Sequence, residues 1–225
     1  MHLRKSTLGL FILGLFFLSS CLEIKEQVFL KRNGSGTFTL TIDMSQMKSM
    51  MEAMGVNIED MGEEDPFSGV ETDFEDQKAE LESIPGVSNA RVIPDRNTYA
   101  ISVAFDFTDI DALNAGANKV FQDEDRTADM EYYRYSRGSF ERTPYFEHAE
   151  QVKDELNNSE DLQGMDPTAF FGEMNYTTVF EFERPVKKMS NDSYSLSADN
   201  KSVSFQYFFF KEESEGTTVQ NKISF

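Results

Sequence analysis

Few side chains in this sequence could carry nucleophilic, redox or metal chemistry. The 225 residues include one cysteine, Cys21, two histidines, His2 and His148, and no tryptophan. One cysteine cannot form an intrachain disulfide or a zinc site built from several thiolates. The motifs of serine hydrolases, zinc peptidases, phosphate-binding loops and dinucleotide-binding folds are missing as well. We therefore expect a protein that is not an enzyme and has no cofactor and no bound metal.

Carboxylates are the abundant ionisable group, with 40 Asp and Glu against 21 Lys and Arg and a net charge of −19. Such a polyanion is repelled by nucleic-acid phosphates, so the composition excludes nucleic acid as a partner. Nine acids and no base lie within residues 59–76, and their mutual repulsion predicts an exposed, mobile acidic loop at about 56–73. A calcium site there, or at Asp123, Asp125 and Asp129, is the alternative, although the spacing of a calcium-binding loop is absent.

The methionines Met44, Met47, Met50, Met51 and Met54 recur at a spacing that places several thioethers on one helix face. Thioethers fill irregular cores, form adaptable contact surfaces and bind Cu(I). No cysteine or histidine accompanies the set. We interpret it as packing, with partner contact and copper binding as alternatives.

The N-terminus has the three parts of a secretory signal peptide. Arg4 and Lys5 are followed by an apolar run of 11 residues over 8–18 and then by two serines. A helix that crosses a bilayer needs about 20 apolar residues, which disfavours a permanent transmembrane anchor. We predict that residues 1–20 are a lipoprotein signal peptide, and its removal leaves 19 basic and 40 acidic side chains.

Cys21 lies where a lipid anchor would be attached. The sequence Leu18-Ser19-Ser20-Cys21 resembles the lipobox of bacterial lipoproteins, in which the thiol receives a diacylglycerol and the cysteine becomes the first mature residue. Two or more acyl chains make release from a membrane slow, since each buried methylene contributes about 0.8 kcal/mol. We predict lipid attachment at Cys21, and a plain secretory cleavage that leaves a free thiol is the alternative.

Leu22 bears on which membrane holds the anchor. In the usual lipoprotein pattern an aspartate after the modified cysteine favours the inner membrane, and leucine here favours the outer membrane. No strong acidic run follows Cys21 to indicate display on the outside. The predicted location is the cell envelope, as a membrane-anchored lipoprotein that faces the periplasm, with the outer membrane favoured.

The mature chain begins with a predicted hairpin and helix. Alternating apolar residues over 24–30 and 37–42 flank a Gly-rich turn, as in a β-hairpin. Asp43 or Ser45 is suited to cap a helix that ends before Gly55.

The same order recurs further along the chain. A short helix is predicted over about 74–84, and a strand with apolar residues at period two runs from Tyr99 to Phe107 after a turn at 95–97. Thr108 is suited to cap the next helix, whose apolar stripe lies within 110–120. The C-terminal half is rich in aromatic strands, with a hairpin over 130–142, a helical stretch over 147–157, and strands over 176–182, 203–209 and 219–225.

We predict the α+β class for a single lipoprotein domain over residues 21–225: an antiparallel β-sheet built from repeated hairpin-helix units, with helices packed on one face. The aromatic strand faces then fill the core. A groove between sheet and helices that carries a lipid or another apolar ligand is the alternative, because alternation alone does not separate packed faces from ligand-lined ones.

Several of these features together resemble the LppM-type bacterial envelope lipoproteins. The features are the lipobox at Cys21, the hairpin at Asn33–Phe38, the strand from Tyr99 to Phe107 that passes into Asp109–Asn114, and the stretch Pro185–Asn191. The likeness covers most of the mature chain. It implies an α+β envelope domain on a lipid tether, with links to lipid or envelope interactions and no established catalytic residues.

The sequence therefore predicts a lipid-anchored, non-enzymatic cell-envelope lipoprotein that binds or scaffolds an unknown ligand or envelope protein. Its partners would be the membrane, through the N-terminal anchor, and an apolar ligand or a protein. A carrier of a lipid or other apolar ligand is one alternative. A cation-dependent contact protein that uses its acidic segments is another.

Overall fold

A computed structural model describes residues 22–53, 70–121, 128–144 and 171–225. The strands in these ranges are β1 (Glu23–Leu30), β2 (Gly36–Asp43), β3 (Val87–Asp95), β4 (Ala100–Phe107), β5 (Tyr133–Ser136), β6 (Ser139–Arg142), β7 (Asn175–Phe182), β8 (Lys188–Met189), β9 (Ser195–Leu196), β10 (Ser202–Phe208) and β11 (Asn221–Ser224). The helices are α1 (Ser45–Ala53), α2 (Val70–Glu82) and α3 (Ile110–Val120), with a 3₁₀ turn at Glu212–Ser214.

Seven strands form the larger sheet, in the order β3-β4-β2-β1-β7-β10-β9. Each neighbouring pair is antiparallel except β1 and β7, which run parallel with Val28 opposite Phe180. The α+β class is confirmed, but the prediction of a purely antiparallel sheet is wrong. Strands joined by a short turn must be antiparallel, whereas β1 and β7 are far apart in the chain and are free to pair in parallel.

The four strands β5, β6, β11 and β8 form a second sheet in that order, which the sequence does not predict. It packs against one face of the larger sheet, since the ring centroid of Phe140 lies 5.2 Å from that of Phe180 and 5.6 Å from that of Phe182. Helix α3 covers the same face at β4. A Cβ added at Gly116 of α3 would lie 2.5 Å from the Phe105 ring, so a glycine permits this close packing.

The core between these layers is a set of matched apolar rows. Val28, Phe38, Phe105, Phe180 and Val203 stand opposite one another across five strands, and all five are buried. The rings of Phe38 and Phe105 stack with centroids 5.0 Å apart. The aromatic residues of the alternating strands therefore pack as a core, as the sequence predicts.

The local elements largely follow the sequence pattern. Both early hairpins form as predicted, and the Asp43 carboxylate accepts a hydrogen bond of 2.8 Å from the Ser45 amide at the start of α1. Both hairpins precede a helix in the chain, but a structural repeat of two like units is not confirmed. Tyr99 lies in the β3–β4 turn with a φ of 59° instead of in the strand.

Two helix starts differ from the prediction. Helix α3 is capped by Asp109, whose carboxylate accepts from the Ala112 amide at 2.9 Å, and not by Thr108. The Thr108 hydroxyl donates to Asp109 instead. Helix α2 begins at Val70, so it overlaps the end of the segment 56–73 that is predicted to be a mobile loop.

Candidate functional site

The predicted lipid-attachment residue, Cys21, lies just outside the described residues. Leu22 is the first described residue, and its carbonyl accepts a hydrogen bond of 3.1 Å from the amide of Asn175. Strand β1 begins at Glu23 and lies in the interior of the larger sheet, between β2 and β7. The first mature residue predicted from the sequence would therefore be separated from an interior strand of the sheet by one residue.

Partly exposed aliphatic side chains lie at the end of the larger sheet where β1 begins. Ile24, Ile42 and Ile101 stand opposite one another on β1, β2 and β4. Ile42 is 37% exposed, and the other two are half-buried. We call this end of the sheet, around the start of β1, the near end.

The opposite end of the larger sheet is built from turns that are joined by backbone hydrogen bonds. The amide of Glu183 donates to Leu30 at 3.3 Å, and that of Phe182 donates to Lys201 at 2.8 Å. Strand β1 has eight residues, and at about 3.3 Å per residue it separates the two ends by about 25 Å. We call this opposite end the distal end.

An open groove of about 940 Å³ lies at the distal end; we call it the distal groove. Its lining combines two aromatic rings, two cations, three carboxylates and two hydroxyls: Phe29, Arg32, Glu181, Phe182, Glu183, Ser197, Asp199, Lys201 and Ser202. Most of the charged side chains are exposed, so both hydrogen-bond donors and acceptors face solvent. Such a lining is suited to a polar ligand and not to a lipid tail.

The β9–β10 turn fixes one wall of the groove. Asn200 adopts a left-handed φ of 58°, and the Asp199 carboxylate accepts from the Ser197 hydroxyl at 2.7 Å and from the Lys201 amide at 3.0 Å. These hydrogen bonds, the Ser197 hydroxyl first, lower the pKa of Asp199. The wall therefore carries a fixed negative charge at neutral pH.

Basic side chains gather at the distal end. They lie on the turns after β1 and between β5 and β6, on the segment between β7 and β8, at the first residue of β8, and before β10, and we call them the distal basic end: Lys31, Arg32, Arg137, Arg184, Lys187, Lys188 and Lys201. Across the described ranges, none of these seven side chains forms a salt bridge. Seven of the 21 bases of an acidic protein thus lie at one end of the sheet, where the exposed carboxylates of Glu181, Glu183 and Asp199 also lie.

One of these cations is held in a defined position. The Arg184 guanidinium lies 4.3 Å from the centroid of the Phe225 ring. It donates to the carbonyl of Arg137 at 2.6 Å and to the hydroxyl of Tyr135 at 3.3 Å, and that hydroxyl donates to the carbonyl of Arg32 at 2.9 Å. The β1–β2 and β5–β6 turns and the segment after β7 are thereby tied together.

A second polar cluster lies in the core, where Glu26 of β1 meets Arg142 of β6. The Arg142 guanidinium donates from Nε and Nη2 to the two carboxylate oxygens, each at 3.1 Å. The hydroxyl of Tyr133 donates to the same carboxylate at 2.9 Å, and the hydroxyl of Tyr176 also donates to it. We call these four residues the buried ion-pair cluster; it joins the two sheets, and Glu26 and Arg142 are 0% and 1% exposed.

Burial sets the ionisation of this cluster. Loss of solvent raises the pKa of Tyr133 and of Tyr176, and the nearby Glu26 carboxylate raises both further. Burial alone would lower the pKa of Arg142, but the Glu26 carboxylate, Tyr133 and Tyr176 together outweigh it and the net shift is upward. Arg142 is therefore charged and the two phenols are neutral, and because all four residues are buried, the cluster is a structural link between the sheets.

Other residues singled out from the sequence are placed only in part. Met44 is buried, as packing requires, but the side chains of Met47, Met50 and Met51 and all of Met54 lie outside the described residues. Nowhere in the described part of the chain do three His, Cys, Asp or Glu side chains come close enough to hold a metal ion. No described helix has the length and apolar character needed to cross a membrane.

Several further predictions fall in ranges that the structure does not describe. Residues 56–69, Asp123 and Asp125 are among them, as are His148 and the predicted helix over 147–157. Asp129 is described and exposed. The calcium hypothesis therefore stays a prediction that the described residues do not test.

Sequence reasoning missed both the distal groove and the buried ion-pair cluster. A signal for the cluster was present, since Glu26 shares its strand face with the apolar residues Ile24, Val28 and Leu30. A carboxylate on a face destined for the core needs a buried cation. The distal basic end gave no such signal, because its members come from separate parts of the chain.

Comparisons with known proteins give a match among solved structures and none in the other two searches. No protein-family model matches the chain, and no curated protein matches it. A solved structure that does match is the NMR structure of the folded domain of LppM from Mycobacterium tuberculosis. The two are 11% identical, the match covers 91% of this chain and 89% of the other, and the TM-score is 0.41. At this level of similarity, membership of the LppM-type family stays a prediction.

Proposed function

We propose that this protein is a lipid-anchored, non-enzymatic lipoprotein of the bacterial cell envelope that binds a ligand or partner in its distal groove. Residues 1–20 would be removed as a signal peptide, and the thiol of Cys21 would carry the lipid. The observation that carries the proposal is that only Leu22 separates Cys21 from β1, an interior strand of the larger sheet. A lipid at Cys21 would therefore fix the orientation of the whole domain.

With so short a connection, the near end of the sheet would lie at the membrane surface. The partly exposed aliphatic side chains of Ile24, Ile42 and Ile101 at this end are compatible with contact with lipid. The distal groove, about 25 Å away along β1, would then face the aqueous side. This arrangement suits a protein that is held on a membrane and binds a partner in the space beyond it.

A non-enzymatic role is supported by the ionisable groups at the two polar sites. The buried ion-pair cluster is closed to solvent, and the Asp199 carboxylate in the groove has a lowered pKa. A general acid or base at neutral pH needs a carboxylate pKa that is shifted upward. The groove is therefore better suited to binding than to proton transfer.

Lipid attachment can be tested with the full chain in a Gram-negative host grown with radiolabelled palmitate. The wild-type chain should carry the label and sediment with membranes, and Cys21→Ser should be unlabelled and recovered in the soluble envelope fraction. Ser20→Ala, which keeps a small residue before the cysteine, is the matched control and should behave as the wild type. An unlabelled wild-type chain, or a Cys21→Ser chain that is still labelled, would contradict the proposal.

The outer membrane, facing the periplasm, is the proposed location, because Leu22 and not an aspartate follows the cysteine. Separation of inner and outer membranes on a density gradient should place the wild-type chain in the outer fraction. Leu22→Asp should move it to the inner fraction, while Leu22→Asn, which lacks the charge, serves as the control for side-chain size. Wild-type protein in the inner fraction would refute the outer-membrane location and leave lipid attachment intact.

A further inference from the structure

We propose that the anchored domain leans on the membrane with one face of its larger sheet. The face that carries Ile24, Ile42 and Ile101 at the near end contacts the acyl chains of the leaflet, and the opposite face stays in water. The inference rests on the proposed function, because a lipid at Cys21 brings this end to the membrane. It adds a second contact with the bilayer and the direction in which the domain tilts.

One face of the near end is aliphatic across neighbouring strands; we call it the aliphatic face. Its side chains are half-buried or exposed and form two rows in register, the row nearer the end first: Ile24, Ile42 and Ile101, then Leu40, Val103 and Val92. Ile42 is the most exposed of them at 37%. Transfer of such a surface from water to hydrocarbon is favourable.

The layer that the described residues form over this face stops short of the near end. Helix α3 packs on Phe105 through Gly116, and the ring of Phe121, just after the helix, lies 5.9 Å from the ring of Phe38. Phe38 and Phe105 stand in one row. Ile42 lies four residues further along β2, which is about 13 Å at 3.3 Å per residue. The first aliphatic row therefore extends beyond this packing and can meet lipid from the end of the sheet.

The opposite face of the same end is charged. Glu23, Asp43 and Asp95 stand in one row, and they point away from the aliphatic face because successive side chains of a strand alternate. Lys25 follows on the charged side. A hydrogen bond from the Thr98 side chain lowers the pKa of Asp95, so this carboxylate is ionised at neutral pH. Charged groups are costly in hydrocarbon, which disfavours contact with lipid through this face.

The tether is too short for the two faces to alternate freely at the membrane. Only Leu22 separates Cys21 from β1, and its carbonyl accepts a hydrogen bond from the Asn175 amide. The chain is thus fixed to the sheet directly after the residue that would carry the lipid. The difference in polarity between the two faces then decides which of them turns toward the acyl chains.

The exposed large apolar side chains of the described residues give three matched reporter positions. Ile42, Ile93 and Leu196 are 37%, 47% and 41% exposed. Ile93 lies on the charged face, in the row of Lys25. Leu196 lies on the same face as Ile42 but in the row of Val28, about 13 Å further along β1. The set therefore separates the face of the sheet from the distance to its end.

The test uses the full mature chain, lipid included, in vesicles of phosphatidylethanolamine and phosphatidylglycerol. Ile42→Cys, Ile93→Cys and Leu196→Cys are each coupled to a nitroxide, and the lipidated thiol of Cys21 does not react. Electron paramagnetic resonance measures collisions of the nitroxide with oxygen, which concentrates in lipid, and with a nickel chelate, which stays in water. We expect a several-fold higher ratio of oxygen to nickel collisions at position 42 than at positions 93 and 196.

Three results would overturn the proposal. Equal ratios at positions 42 and 93 would mean that the sheet stands upright with no preferred face. A higher ratio at position 93 would mean that the domain leans on its charged face. Ratios typical of water at all three positions would mean that the near end does not touch the acyl chains.

A second measurement needs no substitution in the sheet. In vesicles that include a phospholipid with a diazirine in its acyl chain, illumination should cross-link the wild-type chain at Ile42 or Ile101 and not at Ile93. Cross-links at Ile93 alone, or equally on both faces, would contradict the tilt. Intact mass separates the two claims: a lipidated chain with position 42 in water refutes the tilt and leaves the anchor, whereas a chain without lipid at Cys21 refutes the anchor and the tilt that depends on it.

Discussion

Replacing Arg142 by methionine should lower the free energy of unfolding by about 3–5 kcal/mol, because it leaves the Glu26 carboxylate buried without its cation. The contacts of the cluster indicate why the loss is large. Glu26 is 0% exposed and would lose two of its four hydrogen bonds, keeping only those from Tyr133 and Tyr176. The free energy of unfolding of an ordinary domain is about 5–15 kcal/mol, so about a fifth of the total or more is at stake.

The double variant Glu26→Gln/Arg142→Met tests whether the two buried charges compensate each other. It leaves neither charge in the core, and the glutamine amide oxygen can still accept from a tyrosine hydroxyl. Because the cost of each single change comes mainly from the charge left behind, the double variant should be more stable than either single variant. Additive costs would mean that the two charges do not compensate each other.

Urea unfolding of the soluble Cys21→Ser chain, followed by circular dichroism, measures these differences. At about 1–3 kcal/mol per molar urea, the Arg142→Met change should lower the midpoint by more than about 1 M. The control is Arg134→Met, whose side chain is 54% exposed in its salt bridges to Glu131 and Glu141 and which should cost about 1 kcal/mol or less. The stabilising role of the buried ion pair would be refuted if the urea midpoint of Arg142→Met lay as close to the wild-type midpoint as that of Arg134→Met.

Three further outcomes are expected. The free energy of unfolding should be constant below about pH 10 and fall above it, because burial and the adjacent carboxylate raise the pKa of Tyr133 and Tyr176 while both ionise near pH 10 in the unfolded chain. Urea unfolding at a series of pH values should show a shallower alkaline decline in Tyr133→Phe. An unchanged decline would count against a role of the buried Tyr133 hydroxyl. Gly36→Ala should destabilise by at least about 2 kcal/mol, because its Cβ would lie 1.8 Å from a backbone oxygen. The control is Gly138→Ala, because a Cβ added at Gly138 would meet no atom within 4 Å, and it should change the Tm little. Equal Tm shifts for the two variants would contradict the close packing at Gly36. Asp109→Ala should cost about 1 kcal/mol in urea unfolding through loss of the α3 cap, and no change would show that the cap lies elsewhere.

The elements that the sequence predicts well are the ones that depend on nearby residues. The pairs β1–β2 and β3–β4 are hairpins whose alternating residues and turns are adjacent in the chain, and both formed as predicted. Helix α3 was also predicted, but its cap was assigned to Thr108 when Asp109, the next residue, has the accepting side chain. Both residue types favour the N-cap position, and two neighbouring candidates of this kind cannot be separated by pattern alone.

The arrangement of distant parts of the chain was not predictable in the same way. The parallel pairing of β1 with β7 and the division of the strands into two sheets depend on packing between segments far apart in sequence. The partner of Glu26 is Arg142 of the other sheet, and the residues of the distal groove come from three separate regions. Such a site exists only once the tertiary fold has formed, so no spacing of residues along the sequence predicts it.

The lipid anchor is the central claim, and intact-mass spectrometry of the chain extracted from bacterial membranes tests it most directly. We expect a chain that begins at Cys21, lacks residues 1–20, and carries the added mass of a diacylglycerol that Cys21→Ser lacks. A mature chain with an unmodified Cys21, or one that begins at another residue, would refute the lipid anchor.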